Sequence, residues 1–126
     1  MTAGKPGAGA WLIVEDEALV AMGLQDALTE LGLSVAGPFA RVHRALPAAE
    51  HGDLAGAILD VNVAGERIDP VAVVLKSRGI PFIFMTGYGA EGVSAAFREY
   101  PVLVKPVLSE HLREALRTMG ALPPAR

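Results

Sequence analysis

The chain contains no cysteine among its 126 residues, which excludes disulfide bonds, thiolate nucleophiles and cysteine-ligated zinc sites. It also has no excess of positive charge, because 11 lysine and arginine residues stand against 14 acidic residues without a long basic cluster. A nucleic-acid-binding surface is therefore not expected. Unbroken apolar runs such as Ala10–Val14 are too short for a membrane span or a signal-peptide core, so we expect a cytoplasmic protein without membrane contact.

The residues that are present indicate one folded domain. Hydrophobic residues make up 52% of the chain and charged residues 20%, a balance that disordered chains do not have. The length is close to the usual size of a domain with a single core. Because both ends are rich in glycine, alanine or proline, we expect a flexible leader at 1–9, a folded domain at 10–120 and a flexible tail at 121–126.

Short apolar runs alternate with helical patterns along the chain, which indicates an α/β fold with a parallel sheet. Most of the runs are continuously hydrophobic, as expected for strands covered by helices on both faces. The second run is interrupted by Ser34, which predicts an edge strand. The five predicted strands are Trp11–Val14, Leu33–Ala36, Ala57–Leu59, Ile80–Met85 and Val102–Val104.

The helical patterns lie between these runs and give a (βα)5 order with a doubly wound sheet. Apolar residues from Val20 to Leu31 recur at helical spacing, and Gly32 follows as a stop signal. Asp69 and Pro70 are typical of an N-cap and a first helical residue. Three further helices are predicted. One follows Phe39 and is interrupted at Pro47, one extends from about Glu91 to Arg98, and one begins after a cap at Ser109.

Polar residues directly follow four of the five predicted strands. Ligands of parallel sheets bind outside the carboxyl ends of the strands, so these residues are expected to meet at one edge. They are Glu15, Asp16 and Glu17 after the first run, Asp60 after the third, Thr86 after the fourth, and Lys105 with Pro106 after the fifth.

These residue types predict phosphoryl chemistry. Carboxylates held close together repel one another, and a hard divalent cation such as Mg²⁺ keeps them ionised. Mg²⁺ retains several waters, which leaves coordination positions for a phosphoryl group. The Thr86 hydroxyl and the Lys105 ammonium can bind phosphoryl oxygens, and an aspartate beside a metal is a competent nucleophile toward phosphorus. We therefore expect Asp60 to accept a phosphoryl group.

Two parts of this pattern have simpler interpretations. The acidic residues at 15–17 also fit the first turn of a helix, where the macrodipole favours them, and Glu17 is expected to be only that. Gly87, Gly89 and Gly92 form a literal G-x-G-x-x-G after a strand. Because that strand is the fourth and not the first, a mobile connection is favoured over a dinucleotide site.

The strings LIVEDE, AILDVN, FIFMTGYG and VLVKP, in this order and spacing, resemble the receiver domain of bacterial two-component response regulators over about residues 10–120. More narrowly, PFIFMTGYG followed by PVLVKP resembles the FATGUY-type subgroup, mostly single-domain receivers of alphaproteobacteria. Met85 stands at the alanine position of that motif, and Val107 stands where many receivers have phenylalanine.

The resemblance implies a flavodoxin-like, five-stranded sheet of strand order 2-1-3-4-5 and a role for each matching residue. Asp60 would be the phosphoacceptor, and Thr86 would contact the phosphoryl group. Lys105 would pair with Asp60 and then with phosphoryl oxygens, while Pro106 would follow a cis peptide bond. The implied Mg²⁺ ligands are Glu15, Asp16, Asp60 and the backbone carbonyl of Asn62.

The implied function is that of a stand-alone receiver, a signalling phosphoacceptor and not an ordinary enzyme. Its phosphodonor would be a histidine kinase or histidine phosphotransfer protein, and its output would be contact with a downstream protein. One alternative is a receiver-like interaction domain that is never phosphorylated. An aspartyl-phosphate phosphatase or mutase is a further alternative, but such enzymes usually have a second carboxylate at the position of Asn62.

The route of the signal is expected to be unusual. Many receivers have an aromatic switch residue three positions before the lysine, where this chain has Val102, which lacks the necessary reach. The glycines of the Gly87–Gly92 connection permit large dihedral changes. We therefore expect Thr86 to reorder that connection, including Gly89, and to move Tyr88.

Overall fold

The computed structural model, which describes residues 9–87 and 92–123, contains there a sheet of five parallel strands, a two-stranded hairpin, four α-helices and a short 3-10 helix. Residues 1–8 of the predicted leader and 124–126 of the predicted tail lie outside the described residues. The strands are β1 (Ala10–Val14), β2 (Val35–Phe39), β3 (Leu54–Asp60), β4 (Asn62–Val63), β5 (Glu66–Arg67), β6 (Phe82–Thr86) and β7 (Val102–Val104). The helices are α1 (Ala18–Glu30), α2 (Val42–His51), α3 (Asp69–Ser77) and α4 (Ser109–Thr118).

The main sheet has the order β2-β1-β3-β6-β7, and every neighbouring pair is parallel. This order corresponds to 2-1-3-4-5 and confirms the predicted doubly wound fold. β2 lies at one edge of the sheet, as Ser34 indicated, although the strand begins after that residue. The strand that ends at Asp60 lies at the centre of the sheet, so its carboxyl end is flanked by β1 and β6.

Alternating side chains of the central strands build a core on each face of the sheet. Leu12, Leu59 and Phe84 pack with α2 and α3 on one face. Ile13 and Met85 pack with α1 and α4 on the other face. The strands are therefore buried on both sides, which explains why they are continuously hydrophobic in sequence.

Trp11 and Gly56 form a close contact between β1 and β3. Trp11 is 1% exposed, and its ring lies where a side chain at residue 56 would stand. A Cβ atom built on Gly56 would lie 2.6 Å from Cζ2 of the Trp11 ring. The strand therefore has glycine at this position because the indole occupies the space of a side chain.

A two-stranded hairpin follows β3, and the sequence patterns did not predict it. β4 and β5 pair antiparallel across a turn in which Ala64 and Gly65 have φ angles of 51° and 84°. Positive φ at both central residues is the geometry of the tight hairpin turn. The Asn62 side-chain oxygen accepts a hydrogen bond from the Gly65 N–H at 3.1 Å, which stabilises the turn.

Three predicted helix features are wrong in detail. Asp69 and Ser109 are the first residues of α3 and α4, and the preceding Ile68 and Leu108 are the N-caps without side-chain cap bonds. Pro47 lies inside α2 and does not interrupt it, and His43, whose carbonyl has no N–H partner at residue 47, is exposed to solvent. None of the helices in residues 9–87 and 92–123 has the length and apolar content that a membrane span needs.

The predicted fourth helix is also different. Glu91 lies outside the described residues, and the following segment contains a 3-10 helix at Ala95–Phe97. Phe97 and Tyr100 both pack on Phe82, with ring centroids 6.2 Å and 3.8 Å from its ring. Aromatic contacts therefore hold this segment against the sheet, although it is not a regular α-helix.

Candidate functional site

A cleft of about 530 Å³ lies at the carboxyl ends of the central strands. Ligands of parallel sheets bind at this edge, and most of the predicted polar residues lie there. Asp16, Glu17, Asp60, Asn62, Thr86, Gly87 and Lys105 line the cleft together with Val61, Arg67 and Gly92.

Three carboxylates form a close cluster in this region. One oxygen from each of Glu15, Asp16 and Asp60 lies within 4.8 Å of the others. Glu15 and Asp60 are buried, whereas Asp16 is exposed to solvent. The oxygens of such a cluster are the hard donors that Mg²⁺ prefers, and the exposed member leaves room for coordinated water. The donor set therefore fits a divalent cation.

Lys105 provides the positive charge that this cluster needs. Its Nζ lies 2.8 Å from Glu15 Oε1 and 3.0 Å from Asp60 Oδ2, with Glu17 Oε1 farther away at 3.5 Å. Burial lowers the pKa of the Lys105 ammonium, but hydrogen bonds to Glu15 and Asp60 outweigh burial and raise the pKa above its usual value. Lys105 is therefore charged across the physiological pH range.

Glu15 remains poorly compensated despite this contact. Burial raises the pKa of its carboxyl above the usual value, and hydrogen bonds from Lys105 and from the Glu17 N–H at 2.9 Å offset only part of that effect. The charge of Asp60 raises the pKa further. One ammonium thus serves two buried carboxylates that repel each other.

Glu15→Gln should change how stability depends on pH. The folded state holds a proton on Glu15 at pH values where the unfolded chain has released it. The contribution of Glu15 to the free energy of unfolding is therefore complete below the ordinary pKa of 4.5 and declines as pH rises through the raised folded pKa. We expect the variant to lack this decline and to exceed wild type in thermal midpoint at pH 7 without divalent cations.

Thermal melts between pH 4 and pH 8 with a chelator would measure this difference. Glu30→Gln, which changes an exposed carboxylate at the end of α1, is the matched control. A lower midpoint for Glu15→Gln than for wild type at pH 7 would mean that the ion pair with Lys105 outweighs burial.

Thr86 lies at the end of β6 and is buried. Its backbone oxygen accepts a hydrogen bond from the Lys105 N–H at 2.9 Å, which fixes the two predicted residues on neighbouring chain segments. A Cβ atom on Gly92 would lie 3.3 Å from the Thr86 hydroxyl oxygen, so the chain passes close to this hydroxyl. Gly87 follows as an exposed bend, whereas Tyr88 and Gly89 lie outside the described residues.

Two further predicted features are present in the chain. The peptide bond between Lys105 and Pro106 is cis, as the resemblance implied. Asn62 directly follows the Asp60–Val61 pair at the start of the hairpin and lines the cleft. The structure thus brings Asn62 to the same edge as the acidic residues.

Sequence reasoning missed Arg67 as a residue of the cleft. β5 carries this side chain to the cleft, and β5 exists only because the turn at residues 64–65 reverses the chain. Asn62 and Gly65 were the available signal, since both are common in tight turns. Without the hairpin, the sequence separation of Arg67 from Asp60 suggested no contact.

No protein-family model matches the sequence, and no curated protein matches it either. Solved structures do match. The solution structure of SdrG from Sphingomonas melonis Fr1 is 41% identical, covers 90% of this chain and 97% of that chain, and has a TM-score of 0.79. The BeF3-activated conformation of SdrG from Pseudomonas melonis Fr1 is also 41% identical, covers 94% of this chain and 98% of that chain, and has a TM-score of 0.74.

A third similar structure is the PhyR response regulator REC domain of Erythrobacter litoralis, which is 27% identical, covers 98% of both chains and has a TM-score of 0.77. The likeness to these proteins extends over nearly the whole length and includes sequence identity well beyond shared topology. The fold and the strand-end residues agree with that likeness. The chain belongs to the family of response regulator receiver domains.

Proposed function

We propose that this chain is a stand-alone receiver that accepts a phosphoryl group on Asp60 in the presence of Mg²⁺. The donor is a histidine kinase or histidine phosphotransfer protein, and the output is contact with a downstream protein. The observation that carries the proposal is the shared Lys105 ammonium, whose Nζ lies 2.8 Å from a Glu15 oxygen and 3.0 Å from an Asp60 oxygen. Thr86, the last residue of β6, lies at the same edge of the sheet.

Acceptance is a simple displacement at phosphorus. A carboxylate oxygen of Asp60 forms a bond to phosphorus, while the bond from phosphorus to the donor nitrogen breaks and its electron pair leaves with the imidazole. The product is an acyl phosphate on a strand end. Lys105 then exchanges its carboxylate contact for phosphoryl oxygens, and the Thr86 hydroxyl donates to another phosphoryl oxygen.

Glu15, Asp16 and Asp60, with the backbone carbonyl of Asn62, are the residues that would hold Mg²⁺. The bound ion supplies charge neutralisation for the carboxylates and the entering phosphoryl group. Lys105 alone cannot do this, because it already faces two buried carboxylates. The charge balance of the described residues therefore supports the proposed need for a divalent cation.

The finer parts of the proposal concern subgroup, location and switching. The motif PFIFMTGYG supports membership of the FATGUY-type receivers. A cytoplasmic location is part of the same proposal. We propose that contact of Thr86 with the phosphoryl group reorders the Gly87–Gly92 connection and moves Tyr88. The close approach of Gly92 to the Thr86 hydroxyl supports this route, because a moving hydroxyl changes the space beside Gly92.

Acetyl phosphate tests the proposal directly. Intact-mass analysis should show one added phosphoryl group when Mg²⁺ is present and none when a chelator replaces it. Asp60→Asn should prevent the addition, whereas Asp53→Asn, which changes a carboxylate outside the cleft, should not. Hydroxylamine should remove the group, as expected of an acyl phosphate.

Two results would contradict the proposal. An equal phosphoadduct on Asp60→Asn would refute the acceptor assignment. No adduct on wild type with acetyl phosphate or with beryllofluoride would favour the interaction domain that is never phosphorylated.

A further inference from the structure

Arg67 joins the hairpin to the segment that follows the Gly87–Gly92 connection. Its Nη2 donates hydrogen bonds to the Gly92 carbonyl at 2.8 Å and to Ser94 Oγ at 3.2 Å. Its Nε donates to Asp69 Oδ1 at 3.2 Å, and Ser94 Oγ donates to the other Asp69 oxygen. We call these contacts among Arg67, Asp69, Gly92 and Ser94 the Arg67 network.

The same side chain also lines the cleft that contains Asp60. Among the described residues, the basic side chains of that cleft are Arg67 and Lys105. The network uses the N–H groups of Nε and Nη2, so the two N–H groups of Nη1 make no hydrogen bond to residues 9–87 and 92–123. Half of the Arg67 side chain is exposed, at 51%, which leaves it able to change conformation.

A phosphoryl group in this cleft would compete with the Gly92 carbonyl and the Ser94 hydroxyl for the Arg67 guanidinium. In the unmodified chain, Arg67 binds a neutral carbonyl and a neutral hydroxyl. A phosphoryl group offers charged oxygens, and a guanidinium binds such oxygens more strongly than neutral acceptors because the hydrogen bonds are charge-assisted. Lys105 cannot supply all of the donors, since it remains close to Glu15.

We propose that Arg67 recognises the phosphoryl group on Asp60 and, in doing so, releases Gly92 and Ser94. This inference rests on the proposed function, and it assigns phosphoryl binding to a residue outside the strand-end motifs. The carboxylate of Asp69 stays with the guanidinium as a pivot, because Asp69 begins α3 and is fixed by the helix. The neutral contacts are the ones that are exchanged.

Release is expected to be local. Lys76 of α3 donates a hydrogen bond to the Ala96 carbonyl at 3.0 Å and pairs with Glu99 at 3.3 Å. Phe97 is buried against the sheet. These contacts do not involve the cleft, so they hold the later part of the segment when residues 92–94 are released.

The contacts also connect Arg67 to Thr86. Gly92 contacts Arg67 through its carbonyl, and a Cβ atom on Gly92 would lie 3.3 Å from the Thr86 hydroxyl oxygen. When Thr86 and Arg67 both turn to the phosphoryl group, Gly92 loses both neighbours. The network thus explains why the change would begin at Gly92.

The inference is tested by titrating wild type, Arg67→Gln and Arg67→Lys with beryllofluoride while NMR monitors their backbone amide signals. We expect Arg67→Gln to bind beryllofluoride with Mg²⁺ about tenfold more weakly, the loss expected of one charge-assisted contact. We also expect lower backbone amide order parameters at residues 92–94 in the unmodified variant, with little further decrease on binding. Arg67→Lys should keep part of the affinity, because it keeps the charge, but should not restore the wild-type order parameters.

Arg117→Gln is the matched control, because it removes one arginine charge from the last turn of α4, at the sheet edge opposite the cleft. It should behave like wild type. If wild type binds beryllofluoride and Arg67→Gln binds it equally well with the same change in order parameters at 92–94, the inference is wrong and the proposed function stands. If wild type does not bind at all, the proposed function fails, and the inference that rests on it fails with it.

Discussion

Replacing Lys105 with methionine should leave the acceptor carboxylate in place but abolish the conformational response to phosphorylation. Lys105 is the ammonium that contacts Asp60 before modification, and its backbone N–H is bonded to Thr86. Without the ammonium, the phosphoryl oxygens lose the partner that draws β7 toward them. We expect the adduct to form with Mg²⁺ and the amide spectrum of residues 92–104 to stay close to that of the unmodified variant.

The same substitution should also expose the repulsion between Glu15 and Asp60. Both are buried, and loss of the shared partner should cost about 2 kcal/mol of unfolding free energy at neutral pH. Mg²⁺ should recover most of this loss, because a divalent cation compensates the same oxygens. Urea unfolding with and without Mg²⁺ measures both effects.

Lys105→Arg is the matched control, since it keeps the charge beside the two carboxylates. It should retain most of the stability without Mg²⁺, although its planar group cannot reproduce every contact of the ammonium. A Lys105→Met protein whose spectrum changes on phosphorylation as wild type does would show that the response does not depend on Lys105.

A side chain at residue 56 should be among the most destabilising single changes in the core. In Gly56→Ala the new Cβ would stand 2.6 Å from Trp11 Cζ2, well inside van der Waals contact. The indole is buried on β1 and cannot move without displacing its neighbours, so overpacking should cost about 3 kcal/mol. Urea unfolding followed by the fluorescence of Trp11, the single tryptophan of the chain, measures the loss.

Gly23→Ala is the matched control for this change. Gly23 lies inside α1, and a Cβ atom there would meet nothing within 4 Å. Alanine should therefore stabilise the helix by about 0.5–1 kcal/mol. An equal effect of the two substitutions would show that backbone propensity and not the Trp11 contact determines the cost at residue 56.

The sequence predicted the sheet and the polar edge well because both depend on local patterns. Continuous apolar runs indicate strands that are buried on both faces, and the residue after each run lies at the carboxyl end by geometry alone. Glu15, Asp60, Thr86 and Lys105 could be placed together in this way. Their proximity needed only parallel strands in register.

The features that were missed depend on contacts between distant residues. The hairpin needs positive φ at Ala64, which a sequence pattern seldom indicates for alanine. The segment that contains the 3-10 helix packs on the sheet through Phe97 and Tyr100 against Phe82, and this contact between distant residues is not visible in the sequence pattern. Arg67 reaches the cleft only through the hairpin, so a sequence pattern that does not predict the hairpin cannot place Arg67 in the cleft.

β6 contributes side chains to both cores, so a change at its carboxyl end reaches both faces of the sheet. Phe82 and Phe84 face the α2–α3 side, whereas Ile83 and Met85 face the α1–α4 side. A displacement of this strand at Thr86 changes the support beneath both surfaces at once. Under the proposed function, a phosphoryl group on Asp60 would therefore alter the α2–α3 and the α1–α4 surfaces together, and not one of them alone.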